Sequence, residues 1–117
     1  DGCAYTDKAA GAGGAVRTQR GDATVSAEVD RVYSGVPAPL SIVDGALERR
    51  VRITSEGSHT AVVWSPWAAI AAGMADLQDD EYRRFVCVET ANAGAEVITL
   101  APGSTHTLVA QIAAGPY

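Results

Sequence analysis

The stretch best suited to chemistry is residues 85–90, in which four apolar residues run directly into the carboxylate of Glu89. Aromatic and β-branched side chains dominate this stretch, so the pattern predicts a buried β-strand. A carboxylate is costly to bury at the end of such a strand unless it is paired or takes part in a reaction. Two interpretations therefore remain open for Glu89: the strand ends there and the side chain meets water, or the side chain belongs to a site.

The elements that must position Glu89 are short apolar segments separated by glycine and proline turns. The alanine-rich residues 67–75 could form a short helix after Pro66, and the carboxylates at 79–81 could begin another helical turn. The remaining segments predict about nine short strands, and hence an all-β fold with the architecture of a β-sandwich. Strands are predicted at residues 2–7, 24–33, 40–43, 47–54, 61–64, 85–90, 96–100 and 105–112.

Length, charge and hydropathy exclude several classes of protein. A chain of 117 residues fits one domain that can bury a core. The net charge is −5 and no basic run extends beyond residues 49–52, which argues against nucleic acid as a partner. No apolar run approaches the roughly 18 residues that cross a bilayer, and no signal peptide is visible. We therefore expect a soluble, cytoplasmic protein with no membrane partner.

The two cysteines, Cys3 and Cys87, could pair, but two cysteines in 117 residues do not make a disulfide framework. Cys87 lies within an apolar segment, where a free thiol behaves as a small hydrophobic group. We predict that both thiols are reduced.

Two further patterns resemble ligand-binding loops but lack the spacing that such loops require. The glycines of residues 9–15 are followed by neither Gly-Lys-Ser/Thr nor a helix, so we expect a flexible hairpin connection rather than a phosphate loop. The acidic residues between 76 and 81 lack the glycine and the twelfth-position glutamate of a calcium loop. We therefore expect a solvated loop there and no metal site.

Short motifs occur along the chain in a specific order and spacing. They are Gly2-Cys3-x-Tyr5-x-Asp7-Lys8, Gly21-Asp22, Asp30-Arg31-Val32-Tyr33, Val63-Trp64-Ser65-Pro66-Trp67, Met74-Ala75-Asp76, Glu81-Tyr82, Phe85-Val86-Cys87-Val88-Glu89, and Leu100-Ala101-Pro102-Gly103 with His106. Together they resemble the C-terminal part of D-hexose-6-phosphate mutarotases, which are glucose-6-phosphate 1-epimerases of the aldose 1-epimerase superfamily. The resemblance extends from Gly2 to about Ile112.

The resemblance implies a galactose mutarotase-like β-supersandwich, in which the sugar lies in a cleft on a concave sheet. Glu89, in the Cys-Val-Glu motif, matches the family's general base, and Asp30 matches the aspartate that bonds the sugar hydroxyls. The family's acid is a histidine in a His-Thr-Tyr-Phe motif, which would lie just upstream of Asp1, as would most of the arginines that hold the phosphate. Residues 1–117 are therefore expected to be the C-terminal portion of one such domain, with its upstream half as a partner.

The implied reaction interconverts the α and β anomers of a hexose 6-phosphate by opening the ring. A base takes the proton of the C1 hydroxyl while an acid protonates the ring oxygen, and the aldehyde then rotates and recloses on its other face. This chemistry requires no metal or organic cofactor. Because the acid is missing from these residues, we expect the chain alone to be inactive. The alternative is a non-catalytic carbohydrate-binding β-sandwich, or an inactive fragment.

Two positions depart from the pattern of the family. Ser65 stands where an asparagine is usual, which puts the side-chain hydrogen bonds of that turn in doubt. A lysine that is common a few residues later is replaced by Ala69 or Ile70.

The histidines and tryptophans could also take part in a site. We expect His59 to be exposed in a loop and His106 to have a structural hydrogen-bonding role, although either could act as the acid. Trp64 and Trp67 could stack on a sugar, but tryptophans that flank a Ser-Pro turn are expected to belong to the core.

Overall fold

Eight β-strands form two antiparallel sheets in the computed structural model, which describes residues 1–78 and 80–117. In chain order the strands are β1 (Ala4–Asp7), β2 (Ala15–Thr18), β3 (Val29–Ser34), β4 (Leu40–Asp44), β5 (Arg49–Glu56), β6 (Thr60–Ser65), β7 (Cys87–Ala91) and β8 (Val109–Pro116). The larger sheet has the order β2-β1-β3-β6-β7, and the smaller has the order β4-β5-β8. The predicted all-β fold is confirmed.

Helical structure is limited to short turns in the described residues. Helix α1 (Trp67–Ala71) follows Pro66, and two 3₁₀ turns span Glu81–Arg83 and Gly94–Glu96. None of these helices is long and apolar enough to cross a membrane. The turn predicted to begin at residues 79–81 falls partly on Asp79, which lies outside the described residues.

The two sheets pack face to face as a sandwich because one face of each sheet is apolar. On the larger sheet the buried inner side chains include Tyr5, Tyr33 and Ala61, which are direct neighbours across β1, β3 and β6. On the smaller sheet Ile53 is buried. Strand β4 alternates between half-buried and exposed side chains, a pattern typical of a half-buried sheet. The core therefore lies between the sheets, and the outer face of the larger sheet is left available for other contacts.

Several strands differ from the predictions. The short strand β2 was not predicted; it pairs with β1 across a hairpin whose glycines adopt positive φ, which an L side chain rarely adopts. Residues 24–28, predicted as the first part of a strand, do not belong to β3, which begins at Val29. Residues 97–100 are not a strand, although their apolar residues have a strand-like composition, because no described strand pairs with them.

Strand β7 is half-buried at the edge of the larger sheet, whereas residues 85–90 were predicted as a buried strand. It begins at Cys87 rather than at Phe85 and pairs only with β6 among the described strands. Position at an edge explains the exposure, because an edge strand has a neighbour on one side only.

Strand β8 is exposed along its length although its inner face is apolar. Ile53 and Ile112 are cross-strand partners, yet Ile53 is 4% exposed and Ile112 is 69% exposed. The larger sheet therefore covers β5 but leaves β8 uncovered. The accessible surface is 7684 Å², whereas a compact monomer of this mass would expose about 6000 Å². The difference exceeds the ~800 Å² that each partner buries in a standard protein interface.

We expect the 117-residue chain to self-associate in solution through β8. Its eight-residue edge carries no charged side chain, and charges on an edge are a common barrier to pairing between chains. Light scattering should give a mass above 12.0 kDa, and Ile112→Lys should shift that mass toward the monomer. Ser41→Lys adds the same charge to β4, the strand at the other edge of this sheet, and should leave the mass unchanged. A monomer of the native chain at micromolar concentration would contradict this expectation.

Candidate active site

Asp30, Trp64 and Cys87 form a row across three neighbouring strands of the larger sheet. Asp30 on β3 is the direct partner of Trp64 on β6, and Trp64 is the direct partner of Cys87 on β7. Side chains of directly paired residues point to the same face of a sheet. This is the outer face, since the alternate residues point into the core. We call these three residues the Trp64 row.

Glu89 lies on the same face as the Trp64 row, two residues beyond Cys87. Its direct partner is Val62, which in turn pairs with Val32 two residues beyond Asp30. Two strand spacings across the sheet and two residues along it separate the Cα atoms of Asp30 and Glu89 by roughly 12 Å. That distance leaves room for one sugar ring between the two carboxylates, with a hydrogen bond at each end.

The two carboxylates differ in exposure but are both available to a ligand. Glu89 is exposed and Asp30 is half-buried. Neither side chain forms a hydrogen bond or salt bridge within residues 1–78 and 80–117. Glu89 therefore meets water as one interpretation expected, but the strand does not end there, since β7 continues to Ala91. That exposure does not separate it from Asp30, because both side chains stand on one face.

Cys87 provides a further indication of how close Glu89 lies to the Trp64 row. Burial raises the pKa of the Cys87 thiol, and the negative charge of Glu89 raises it further. Both shifts favour the protonated thiol, so Cys87 is a poor nucleophile here. Cys3 and Cys87 are both free.

The two tryptophans have different roles. Trp67 packs edge-on against the buried ring of Tyr82, with ring centroids 5.1 Å apart. Trp64 stands half-buried on the outer face, where its ring lies 6.3 Å from that of Phe85. The prediction that both belong to the core is therefore wrong for Trp64. The reason is strand alternation: Trp64 points away from the core because its neighbour Ser65 points into it.

The two histidines lie outside the strands and have the exposed and hydrogen-bonding roles expected for them. The His59 side chain is 79% exposed in the turn between β5 and β6. His106 hydrogen-bonds Asn92 at 3.0 Å, and Asn92 donates to the carbonyl of Gly57. A side chain at Gly57 would collide with the carbonyl of Thr107, so the loop that carries His106 packs closely on this turn.

Glu96 holds the end of β7, a role that the sequence does not indicate. Its Oε2 atom accepts hydrogen bonds from the Ser58 hydroxyl and the His59 backbone N–H, at 2.8 and 2.6 Å. The Ser58 hydroxyl also contacts the carbonyl of Ala91, two residues beyond Glu89. These bonds to backbone and hydroxyl lower the pKa of Glu96. The β5–β6 turn and the end of the strand that carries Glu89 are thus tied together.

Two other features of the molecule do not form a sugar site. A cleft of about 1030 Å³ opens between the sheets, but it includes neither Asp30 nor Glu89 and much of its wall is inner-face apolar residues such as Val51 and Val63. The acidic segment at 76–81 is only partly described; its Asp80 is exposed and pairs with Arg84. Among the residues that the structure describes, no three His, Cys, Asp or Glu side chains group as metal ligands.

The chain matches the model of the aldose 1-epimerase family over residues 5–113. With this match and the two-sheet fold, the chain belongs to the aldose 1-epimerase family. It is 44% identical over 87 residues to a Cenchrus ciliaris protein named "Putative glucose-6-phosphate 1-epimerase", covering 74% of this chain and 26% of that protein.

Two bacterial proteins of the same name are also similar to the chain. The Salmonella typhimurium protein is 39% identical over 66 residues, covering 56% of this chain and 22% of that protein. The Escherichia coli protein is 42% identical over 65 residues, covering 55% of this chain and 22% of that protein. The chain therefore matches only about a quarter of the length of these relatives. No solved structure matches it significantly.

Glu96→Gln should make the stability of the chain less sensitive to acid. A lowered carboxyl pKa stabilises the fold at pH values above the ordinary pKa of 4.5, and that stability is lost as the pH falls through the lower folded value. The stability of the native chain, measured by urea unfolding, should therefore fall more between pH 6 and pH 3 than the stability of the variant. Glu56→Gln, an exposed carboxylate on β5, serves as the control. Equal pH profiles for the native chain and Glu96→Gln would contradict this role.

Ser65→Ala should leave stability unchanged or raise it by about 1 kcal/mol. The Ser65 hydroxyl is fully buried and has no hydrogen-bond partner among the described residues, so its removal relieves a desolvation cost. The midpoint of urea unfolding measures this change. A loss of stability above about 1 kcal/mol would show that the hydroxyl has a favourable role.

Proposed function

We propose that this chain supplies the base and the sugar-binding aspartate of a hexose-6-phosphate 1-epimerase. The observation that carries the proposal is that Glu89 and Asp30 share one face of one sheet, a sugar's width apart, without protein partners among the described residues. The names of the three relatives support a hexose 6-phosphate as the substrate. Residues 1–117 are, in this proposal, the C-terminal portion of one mutarotase-like β-sandwich domain.

In the proposed mechanism, Glu89 accepts the proton of the C1 hydroxyl. The C1–oxygen double bond of the aldehyde forms as the bond from C1 to the ring oxygen breaks. An acid donates a proton to the departing ring oxygen. Rotation about the C1–C2 bond and the reverse steps give the other anomer, so no proton is gained or lost overall. Asp30 accepts hydrogen bonds from the sugar hydroxyls and keeps C1 in place beside Glu89.

The acid in this proposal is the histidine of the upstream half of the domain. Within the described residues, His59 is exposed in the turn between β5 and β6, and the His106 side chain is occupied by a hydrogen bond to Asn92. The three relatives, of which the chain matches 22–26%, have ample length for a segment that brings an imidazole over this face. Such a segment would also exclude water from the reacting sugar and strengthen the interactions of both carboxylates with it.

A second candidate function is non-catalytic binding of a carbohydrate. Neither histidine of the chain lies on a strand of the larger sheet, and this favours binding without turnover for the chain alone. Asp30 and Glu89 could then hold a sugar by hydrogen bonds to its hydroxyls. The two candidates differ in turnover, because only the epimerase accelerates the approach of a fresh α-anomer to equilibrium.

Glu89→Gln should lower turnover by at least ~100-fold in the enzyme that contains both halves of the domain, because a general base contributes about this much to the rate. Polarimetry of freshly dissolved α-glucose 6-phosphate measures the rate. Glu56→Gln, on the other sheet, should behave like the native enzyme. An unchanged rate in Glu89→Gln would refute the role of Glu89 as the base.

Asp30→Ala should weaken substrate binding by about 1–3 kcal/mol, the usual cost of losing a hydrogen bond to a charged group. The KM for glucose 6-phosphate in the same assay reports this loss. If KM and kcat both stayed at the native values, Asp30 would not contact the sugar.

A further inference from the structure

Trp64 occupies the centre of the candidate site and is not used by the proposed mechanism. It stands between Asp30 and Cys87 in the Trp64 row, and Glu89 is its diagonal neighbour on the adjacent strand. Diagonal neighbours in an antiparallel sheet have Cα atoms about 7–8 Å apart, which is within reach of aromatic and long side chains. One indole ring therefore lies beside both carboxylates.

Packing within the chain, which is a tilted contact with Phe85, accounts for only one side of the indole ring at this position. Trp67 illustrates a packing role, since its ring contacts a buried tyrosine edge-on at 5.1 Å. Among the described residues Trp64 has no such buried aromatic partner, although both tryptophans are half-buried. Its two neighbours in the row are an aspartate and a cysteine, which are smaller than the indole. Phe85 lies to one side, tilted by 35° to the indole, and the two rings form an aromatic corner.

We propose that Trp64 is the platform on which the sugar ring lies. This proposal rests on the proposed function and adds a positioning residue to it. One face of a pyranose presents C–H groups, which pack well on an aromatic ring, while the hydroxyls point outward from the rim. With the C–H face over the indole, the rim of the sugar is directed towards Asp30 on one side and Glu89 on the other. Sites for small molecules combine such apolar surfaces with a few directed polar groups.

A flat platform suits a substrate whose reacting carbon must change configuration. The C–H face remote from C1 is the same in both anomers, so contact with it does not depend on which anomer is bound. Contact with this remote face also leaves C1 free to rotate in the open-chain aldehyde while the rest of the sugar stays in place. The platform therefore binds the ground state and the transition state about equally, and such uniform binding affects KM rather than kcat.

The first test compares Trp64→Leu, Trp64→Phe and Trp67→Phe in the enzyme with both halves of the domain. Trp64→Leu should raise the KM for α-glucose 6-phosphate by about tenfold, with kcat changed by less than about threefold. Trp64→Phe should restore most of the affinity, because it retains an aromatic face. Trp67→Phe, on the opposite side of the sheet, should match the native enzyme. A Trp64→Leu enzyme with native KM would overturn the proposal.

The second test leaves Trp64 intact, so it does not depend on the folding of a Trp64 variant. In the Trp67→Phe variant of the enzyme with both halves, Trp64 is the only tryptophan of residues 1–117. Glucose 6-phosphate should change its fluorescence in a saturable way, whereas glycerol 3-phosphate, which lacks the ring, should not. In Trp64→Phe, the remaining Trp67 should not respond to either compound.

The results separate this proposal from the proposed function. If the enzyme turns over glucose 6-phosphate in a Glu89-dependent way but the Trp64 fluorescence and the KM of Trp64→Leu stay unchanged, the platform is refuted and the epimerase stands. If the enzyme neither binds nor turns over the sugar, the proposed function and the platform both fail.

Discussion

The candidate site depends on the antiparallel register of β3, β6 and β7. That register places Asp30 opposite Trp64 and Trp64 opposite Cys87, with Glu89 on the same face. Because side chains alternate between the faces of a sheet, a slip of one residue would turn the whole set of one strand towards the core. A slip of β7 alone would replace Glu89 by Val88 or Thr90 on the outer face and leave Asp30 without its counterpart.

Packing in the core and hydrogen bonds between the sheets hold this register. Tyr33 and Ala61 are buried on the inner face, so a slip of either strand would expose apolar surface and bury polar groups. At the open edge, β7 has fewer such constraints, since it pairs only with β6 among the described strands. Hydrogen bonds replace them: Thr90 bonds Ser55 of the smaller sheet at 2.7 Å, and Ser58 and Glu96 hold the end of the strand. These hydrogen bonds thus stabilise an edge strand whose position packing alone does not determine.

Local pattern was sufficient to predict most of the elements but not the way in which they pair. Hairpin glycines, strand alternation and the helix after Pro66 are properties of neighbouring residues, and the all-β sandwich follows from them. The assignment of Glu89 and Asp30 came from a family resemblance, because nothing local distinguishes either from a surface carboxylate. The Trp64 row and the contacts of Glu96 join residues 23 or more positions apart, and such pairings depend on a register that one sequence does not reveal. The predicted strand at 96–100 failed for the same reason, since composition does not supply a partner.

The alternation of β7 also links the stability of the sandwich to the chemistry of its outer face. Glu89 lies between Val88, which points towards the core, and Thr90, which bonds the other sheet. A change in the packing of either inward residue is transmitted to Glu89 through a single peptide bond, and displacements of about 1 Å are costly to a group that must meet a reacting atom. The exposed position of Glu89 has a complementary consequence, because water competes for its hydrogen bonds until a substrate or a covering segment excludes it. In the proposed function, the β-sandwich therefore positions Glu89 from the inner side of the sheet, and the upstream half of the domain completes the environment on the outer side.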